Sequence, residues 1–100
     1  MGDIKIDFAA VEFQAKQLEE IAEGIRNLAE RRMAGTIENM AAAWEGESAS
    51  AYFAKVDLVK QEVLKTAGSL CDAASSVRAQ ARKIYEAESK AIEQAKLRNE

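Results

Sequence analysis

The first half of the chain carries apolar or small side chains at steps of three and four residues. This row begins at Phe8 and ends at Trp44, and such spacing places its members on one face of an α-helix. Asp7 immediately precedes the row, where its carboxylate can accept hydrogen bonds from the free amides of the first turn. The pattern therefore predicts one helix over residues 8–42, entered from a short extended lead-in.

The second half repeats the same helical spacing from Tyr52 onwards, and the chain contains no proline. Ser48 or Ser50 can cap the start of this row. The pattern predicts a second helix over residues 49–95, joined to the first by a turn at residues 43–48. Two helices of this length cannot stand alone in water, so they must pack against each other.

Alanine recurs every seven residues within both rows, as Ala15, Ala22 and Ala29 in the first and as Ala67, Ala74 and Ala81 in the second. Small side chains allow two helix axes to approach closely. If the halves fold back antiparallel, the alanines pair and the midpoint of every pair is residue 48. A slip of one heptad would also align them, so two registers remain open. The predicted helix-helix seam consists of Ala15, Leu18, Ala22, Ile25, Ala29, Met33, Met40, Tyr52, Val56, Val59, Val63, Ala67, Leu70, Ala74, Val77, Ala81 and Ile84.

The distribution of charge favours the same antiparallel arrangement. Residues 1–47 contain ten acidic and five basic residues, a net charge of −5, whereas residues 78–100 contain four acidic and six basic residues, a net charge of +2. Folding back brings these oppositely charged ends together. The expected ion pairs are Glu12 with Lys83 and Glu19 with Arg78, although exposed pairs contribute only ~0 to 1 kcal/mol each.

Each helix also carries apolar residues beside its main row. These dimer-face candidates are Ile21, Leu28, Phe53, Leu64 and Cys71. Fully burying such side chains is worth ~1.5 to 3 kcal/mol apiece, so a second hairpin packed over them would stabilise a small fold considerably. The sequence predicts one all-α domain over residues 1–100, an antiparallel two-helix hairpin that assembles as a four-helix-bundle dimer.

Composition excludes several classes of function. The net charge of −3 argues against nucleic acid as a ligand, because phosphate binding needs a basic surface. The chain has no histidine and one cysteine, Cys71, so neither a catalytic triad nor a Cys/His metal site can be assembled. No glycine-rich phosphate loop is present. We therefore expect no enzymatic activity, no metal and no cofactor.

Near the middle of the chain lies the tripeptide Trp44, Glu45, Gly46, which contains the only tryptophan. A tight bend favours glycine, which tolerates a positive φ. Together with the chain length and the two proline-free helical halves, this tripeptide resembles the central motif of the WXG family of ESAT-like proteins. The resemblance implies a helix-turn-helix hairpin with the tripeptide as its turn motif.

Proteins of this family are exported by the type VII secretion systems of Gram-positive bacteria and actinobacteria, where they serve virulence or interbacterial competition. The resemblance thus implies a homodimer, or a heterodimer with a related partner, that is handled by the secretion ATPase. It also implies secretion from the cytoplasm without a cleavable signal peptide. Met1 to Asp7 show no basic region followed by an apolar run, as an ordinary signal peptide requires.

Many members of the family carry a C-terminal tyrosine followed four residues later by an acidic residue. Here Tyr85 is followed at that distance by Ser89, and Glu88 stands one residue short. Tyr85 and Glu88 are therefore the export-signal candidates, although the spacing departs from the pattern of the family. Either the signal is degenerate, or a partner supplies it.

Two functional hypotheses follow from these observations. In the first, the chain is itself exported by the type VII system. In the second, it is an intracellular adaptor that pairs with the helical N-terminal region of a larger toxin and targets that toxin for export. A structural coiled coil without any link to secretion is a third possibility, which the central tripeptide disfavours.

Overall fold

A computed structural model describes residues 4–99 of the chain, and residues 1–3 and 100 of the predicted domain lie outside the described residues. The elements are helix α1 (Phe8–Asn27), a π-helical segment (Leu28–Met33), helix α2 (Ala34–Ala43) and helix α3 (Glu47–Asn99). The first three run on without interruption and form the first arm of a hairpin, while α3 forms the second arm. No strand occurs in the described part of the chain, and the predicted all-α hairpin is confirmed.

The start of the first arm follows directly from its sequence. The side chain of Asp7 accepts a hydrogen bond from the Ala10 amide at 3.0 Å, and the Asp7 carbonyl accepts one from the Val11 amide. These contacts satisfy amides that a helix leaves without partners at its N-terminus. The capping role predicted for Asp7 is confirmed.

The second arm begins earlier than its serine residues suggest. Helix α3 starts at Glu47, so Ser48 and Ser50 lie inside its first turn, and the prediction that one of them caps the helix is wrong. The Ser50 amide instead donates to the carbonyl of Gly46 at 3.0 Å. The helix can start this early because the bend ends at a glycine, which adopts conformations closed to other residues.

The bend occupies the three residues between α2 and α3. Trp44 leaves the helical conformation with φ −141° and ψ 119°, and Gly46 has φ 114°, the one positive φ among the described residues. A side chain at such a φ crowds the backbone, which is why glycine is favoured there. The chain thus reverses direction over residues 44–46.

The molecule is long and thin, with principal extents of 82 × 17 × 13 Å. Helix α3 accounts for this length, because 53 residues at about 1.5 Å per residue span roughly 80 Å. Phe8, the first residue of α1, lies against Tyr85 of α3 with ring centroids 5.7 Å apart. Residues 89–99 of α3 therefore continue beyond the start of the first arm, and we call them the C-terminal arm.

The contact between the two arms is made of alanine. Six alanines at seven-residue intervals have relative exposures of 0%, or 4% for the last: Ala15, Ala22, Ala29, Ala67, Ala74 and Ala81. Among the described residues no large side chain is fully buried. We call this row of methyl groups the alanine seam. Since methyl groups occupy little space, the two helices lie close together and larger side chains are displaced to the margins.

Aromatic contacts at the bend agree with one of the two registers left open by the sequence. The indole of Trp44 lies 5.7 Å from the ring of Tyr52, centroid to centroid, and these two residues are symmetric about residue 48. In a register shifted by one heptad, Trp44 would lie opposite a residue seven positions away from Tyr52 on α3. The hairpin therefore has the register in which the alanine pairs are centred on residue 48.

The π-helical segment compensates for an irregularity in the spacing of the first arm. The row Val11, Leu18, Ile25 advances by seven residues, but the next step, from Ile25 to Met33, is eight. A regular α-helix would carry Met33 well away from the seam after eight residues. The wider turn of the π-helix absorbs the extra residue, so Met33 and Met40 stay beside α3.

One arginine links the two arms on one side of the seam. The Arg78 guanidinium donates to the Glu12 carboxylate at 2.5 Å and to both carboxylate oxygens of Glu19 at 2.7 Å. The Glu19–Arg78 pair agrees with the sequence, but the pairing of Glu12 with Lys83 is wrong. Glu12 and Glu19 lie seven residues apart on one face of α1. A guanidinium has several N–H donors, so Arg78 can bind both carboxylates at once.

These bonds alter the titration of both partners. The hydrogen bonds from Arg78 lower the pKa of Glu19 below its ordinary value of 4.5, and the hydrogen bonds to Glu19 and Glu12 raise the pKa of Arg78. A carboxylate whose pKa is lower in the folded state stabilises the fold above its unfolded pKa. That stabilisation is lost as the pH falls from about 4.5 through the folded pKa of Glu19.

The substitution Ala74→Leu tests the importance of the alanine seam. A leucine at this fully buried position cannot fit between the arms, so we expect the free energy of unfolding to fall by ~1 to 3 kcal/mol in urea denaturation. Ala79→Leu is the matched control, because Ala79 is exposed on the same helix and should change stability by no more than about 0.5 kcal/mol. Equal effects of the two substitutions would contradict a closely packed seam.

The substitution Arg78→Gln tests the ion pairs through pH. The wild-type urea midpoint should fall as the pH is lowered below about 4.5 and Glu19 protonates, and Arg78→Gln should show a smaller fall because its Glu19 pKa is no longer lowered. Arg82→Gln, at an exposed position nearby, should keep the wild-type pH dependence. Parallel pH profiles for the wild type and Arg78→Gln would exclude a contribution from these pairs.

Candidate functional site

The bend end of the hairpin carries a cluster of aromatic side chains. Trp44 contacts Tyr52 in a tilted arrangement and Phe53 edge to face, each at a centroid distance of 5.7 Å. Such pairs contribute about 0.5 to 1.5 kcal/mol each beyond the burial of area. Trp44 nevertheless remains 41% exposed, and Glu45 beside it is exposed as well. The tripeptide thus holds the bend together and also presents an accessible surface.

Two apolar grooves open on the sides of the seam, one towards each end of the hairpin. The first has a volume of about 270 Å³ and is lined by Leu28, Met33, Met40 and Val56 among others. The second has a volume of about 280 Å³, and its lining residues include Ile6, Val11, Val77 and Ile84.

The two grooves belong to the same face of the hairpin. Val56 lines the first groove and Ile84 the second, and they are separated by four steps of seven residues, with a valine or leucine at every step. Residues seven apart lie on nearly the same side of a helix. We call this side the apolar face; it comprises Val11, Leu18, Ile21, Ile25, Leu28, Val56, Val59, Val63, Leu70, Val77 and Ile84.

Several large side chains of the apolar face are accessible to solvent. Ile21 is 54% exposed and Val59 is 55% exposed, and Leu28, Val77 and Ile84 each exceed 40%. A row of partly exposed aliphatic side chains of this length is unusual on a monomeric protein and marks an interaction surface.

The opposite side of the seam carries the ion pairs of Arg78, and we call it the charged face. Leu64 and Cys71 precede Arg78 by fourteen and seven residues, so they share its row on α3 and are half-buried there. Ile21 and Leu28 belong to the apolar face. Phe53, also half-buried, contacts Trp44 at the bend. The five dimer-face candidates of the sequence are thus distributed over two faces and the bend.

At the end opposite the bend, the lead-in is attached to α3. The Glu88 carboxylate accepts hydrogen bonds from the backbone amides of Lys5 at 2.8 Å and Ile6 at 3.3 Å. We call residues 4–7 the strap. Beside this contact, the ring of Phe8 packs against Tyr85. Both export-signal candidates, Tyr85 and Glu88, are therefore engaged in contacts within the chain.

The sequence does not predict the contact between Glu88 and the strap. Every residue except proline has a backbone amide, so the side chains of Lys5 and Ile6 do not indicate that their amides bind a carboxylate. Glu88 did offer a signal, because it follows Ala81 by seven residues and so continues the alanine row with a carboxylate. A charged residue at a seam position needs a partner on the other arm, and here the strap provides it.

Beyond the strap, the C-terminal arm is mostly polar. It carries Lys90, Lys96 and Arg98 against one acidic residue, Glu93, among its described residues. Its one large aliphatic side chain besides Ile92 is Leu97, which is 70% exposed. The arm is thus a basic helical extension whose surface is accessible.

Residues 4–99 provide neither a metal site nor a membrane-spanning helix. Within that range, no three acidic or cysteine side chains are grouped so that they could hold a metal ion. None of the helices described combines the length and the apolar character needed to span a bilayer. The surfaces described above are therefore the features from which a function can be argued.

Comparison with known proteins identifies the family. The model of the WXG100 family, described as proteins of 100 residues with WXG, matches residues 3–89. No match was found among curated proteins or among solved structures. Members of the family are small secreted helical proteins of type VII secretion that typically pair and are not known as enzymes. The chain, with its bend at Trp44 to Gly46, belongs to the WXG100 family and is a small helical protein associated with type VII secretion.

Proposed function

We propose that this protein is exported by its type VII secretion system as a homodimer of hairpins. The single observation that carries the proposal is the apolar face, whose side chains a lone hairpin leaves half-buried or exposed. A second copy of the chain offers an identical face, so one interface would cover both. The resulting assembly is the four-helix bundle expected from the sequence.

The placement of the two grooves favours an antiparallel arrangement of the two copies. Val56 and Ile84 are equidistant from Leu70 along α3. A twofold axis near Leu70 would bring the first groove of one copy opposite the second groove of its partner. Symmetric dimers bury the same surface on both subunits, and here each groove would receive aliphatic side chains from the other copy.

Export would proceed in the folded, dimeric state and without a cleavable signal peptide. In this proposal the surface offered to the secretion ATPase includes the exposed indole of Trp44 and the C-terminal segment. The basic C-terminal arm is accessible and can dock without disturbing the alanine seam.

A second role, that of an intracellular adaptor for a larger toxin, has its own support. Ser89 occupies the position where many members of the family have an acidic residue, and Glu88 is already bonded to the strap. A chain with an incomplete signal could depend on a partner that carries a complete one. In that case the apolar face would pair with the helical N-terminal region of the toxin.

The substitution Ile21→Glu tests the apolar face as the dimer interface. Each copy would place a charge in the interface, so we expect the dissociation constant to rise by at least about tenfold, measured by sedimentation equilibrium at several concentrations. Leu58→Glu is the matched control, because Leu58 is 65% exposed and lies away from the apolar face. A monomeric wild type at micromolar concentration would contradict the homodimer.

Export itself is tested in the native cell. We expect the protein to accumulate in the culture supernatant when the secretion ATPase is active and to remain in the cells when its ATP-binding site is inactivated. A cytoplasmic enzyme measured in both fractions controls for lysis. Retention in the cells together with co-purification of a larger protein would favour the adaptor role, and release that does not depend on the ATPase would refute both roles.

A further inference from the structure

The strap is joined to α3 by a small set of contacts around one turn of that helix. Its two successive amides donate to Glu88, while Ile6 lines a groove together with Ile84. Phe8, directly after the strap, packs on Tyr85. Residues 84–88 of α3, which include both export-signal candidates, are thus partly covered by the N-terminal segment of the same chain.

The strap is not required to start the first arm. Asp7 caps α1 with its own side chain, and the Asp7 carbonyl accepts the first main-chain bond of the helix. These bonds are made by the last residue of the strap and do not involve Glu88. Residues 4–6 could therefore detach from α3 without unwinding α1.

Among the residues of the strap, detachment would newly expose mainly Ile6, which is half-buried. The bond from the Lys5 amide to Glu88 is already solvent-accessible, and Ile4 is 38% exposed. Segments with few buried apolar contacts and exposed hydrogen bonds open at low free-energy cost. The alanine seam, in contrast, is buried throughout and would remain closed.

We propose that the strap is a removable cover over residues 84–88, and that the surface beneath it receives an extended segment of the secretion machinery. The bound strap shows the chemistry that this surface accepts: two successive main-chain amides for the Glu88 carboxylate, and an aliphatic side chain, here that of Ile6, in the groove beside Ile84. A partner segment with these features would displace the strap and take its place. This inference rests on the proposed role in type VII secretion.

The cover explains how Glu88 can contribute to recognition although its carboxylate is occupied. The partner binds only the fraction of molecules in which the strap is open, so its apparent affinity is reduced by that fraction. A change that opens the strap should therefore strengthen binding, even though it removes a contact from the folded protein.

The substitution Lys5→Pro tests this inference. Proline has no amide hydrogen, so it removes the 2.8 Å bond to Glu88 while leaving Tyr85 and Glu88 intact. Lys5→Ala is the matched control, because it removes the same side chain but keeps the amide. Hydrogen exchange at the Ile6 amide, followed by NMR on the full-length protein, measures the opening of the strap, and retention on the immobilised cognate secretion ATPase measures binding.

We expect Lys5→Pro to accelerate exchange at Ile6 and to raise the affinity for the ATPase by about threefold to tenfold. Lys5→Ala should match the wild type in both measurements. Faster exchange without stronger binding would overturn the inference and leave the proposed function standing, because the strap would then only anchor the N-terminus. Unprotected Ile6 in the wild type would overturn it as well. A wild type that neither binds the ATPase nor depends on it for export would refute the proposed function, and the inference with it.

Discussion

The close approach of two helices along a row of alanines is the constraint on which the rest of this structure depends. A methyl group on each side of the contact leaves no room for a leucine or a phenylalanine between the arms, and no large side chain of the described residues is fully buried. Most of the hydrophobic free energy of a small fold comes from burying large side chains. The hairpin places many of these at the margins of its contact, where one copy alone cannot cover them.

The margins on the two sides of the seam have opposite character, which gives the hairpin two distinct faces. On one side aliphatic side chains recur every seven residues and form the apolar face. On the other side Arg78 joins Glu12 and Glu19, and these partly exposed ion pairs contribute more to orientation than to stability. A second hairpin that approached the charged face would have to desolvate three charged groups. The same packing rule that exposes apolar surface therefore also selects the side on which a partner can bind.

How far the sequence allowed this structure to be predicted depends on the kind of interaction. The contact between the alanine rows could be predicted because small side chains that recur every seven residues lie on one side of a helix, where a second helix can approach closely. The π-helical segment was not predicted, although the spacing indicates it. Two successive steps of four residues, from Ile25 to Ala29 and from Ala29 to Met33, make eight residues where a regular row has seven, and the π-helix absorbs the extra one. The partner of Glu12 was assigned to Lys83 because the prediction treated ion pairs one by one, whereas a guanidinium can serve two carboxylates at once. When a side chain binds backbone amides, as Glu88 does in the strap, the sequence shows the side chain but does not show which amides it binds.

The two ends of the hairpin are held by interactions of very different strength, and this difference bears on where recognition can be regulated. The bend is fixed by a glycine with positive φ and by the contacts of Trp44 with Tyr52 and Phe53, which lie close to it in the sequence. The other end is closed by two hydrogen bonds to one carboxylate and by the contact of Phe8 with Tyr85. A surface at the bend is therefore permanently displayed, while a surface under the strap is displayed only in the fraction of molecules that are open. If both ends contribute to recognition by the secretion machinery, the bend identifies the protein and the strap determines when its C-terminal segment can be bound.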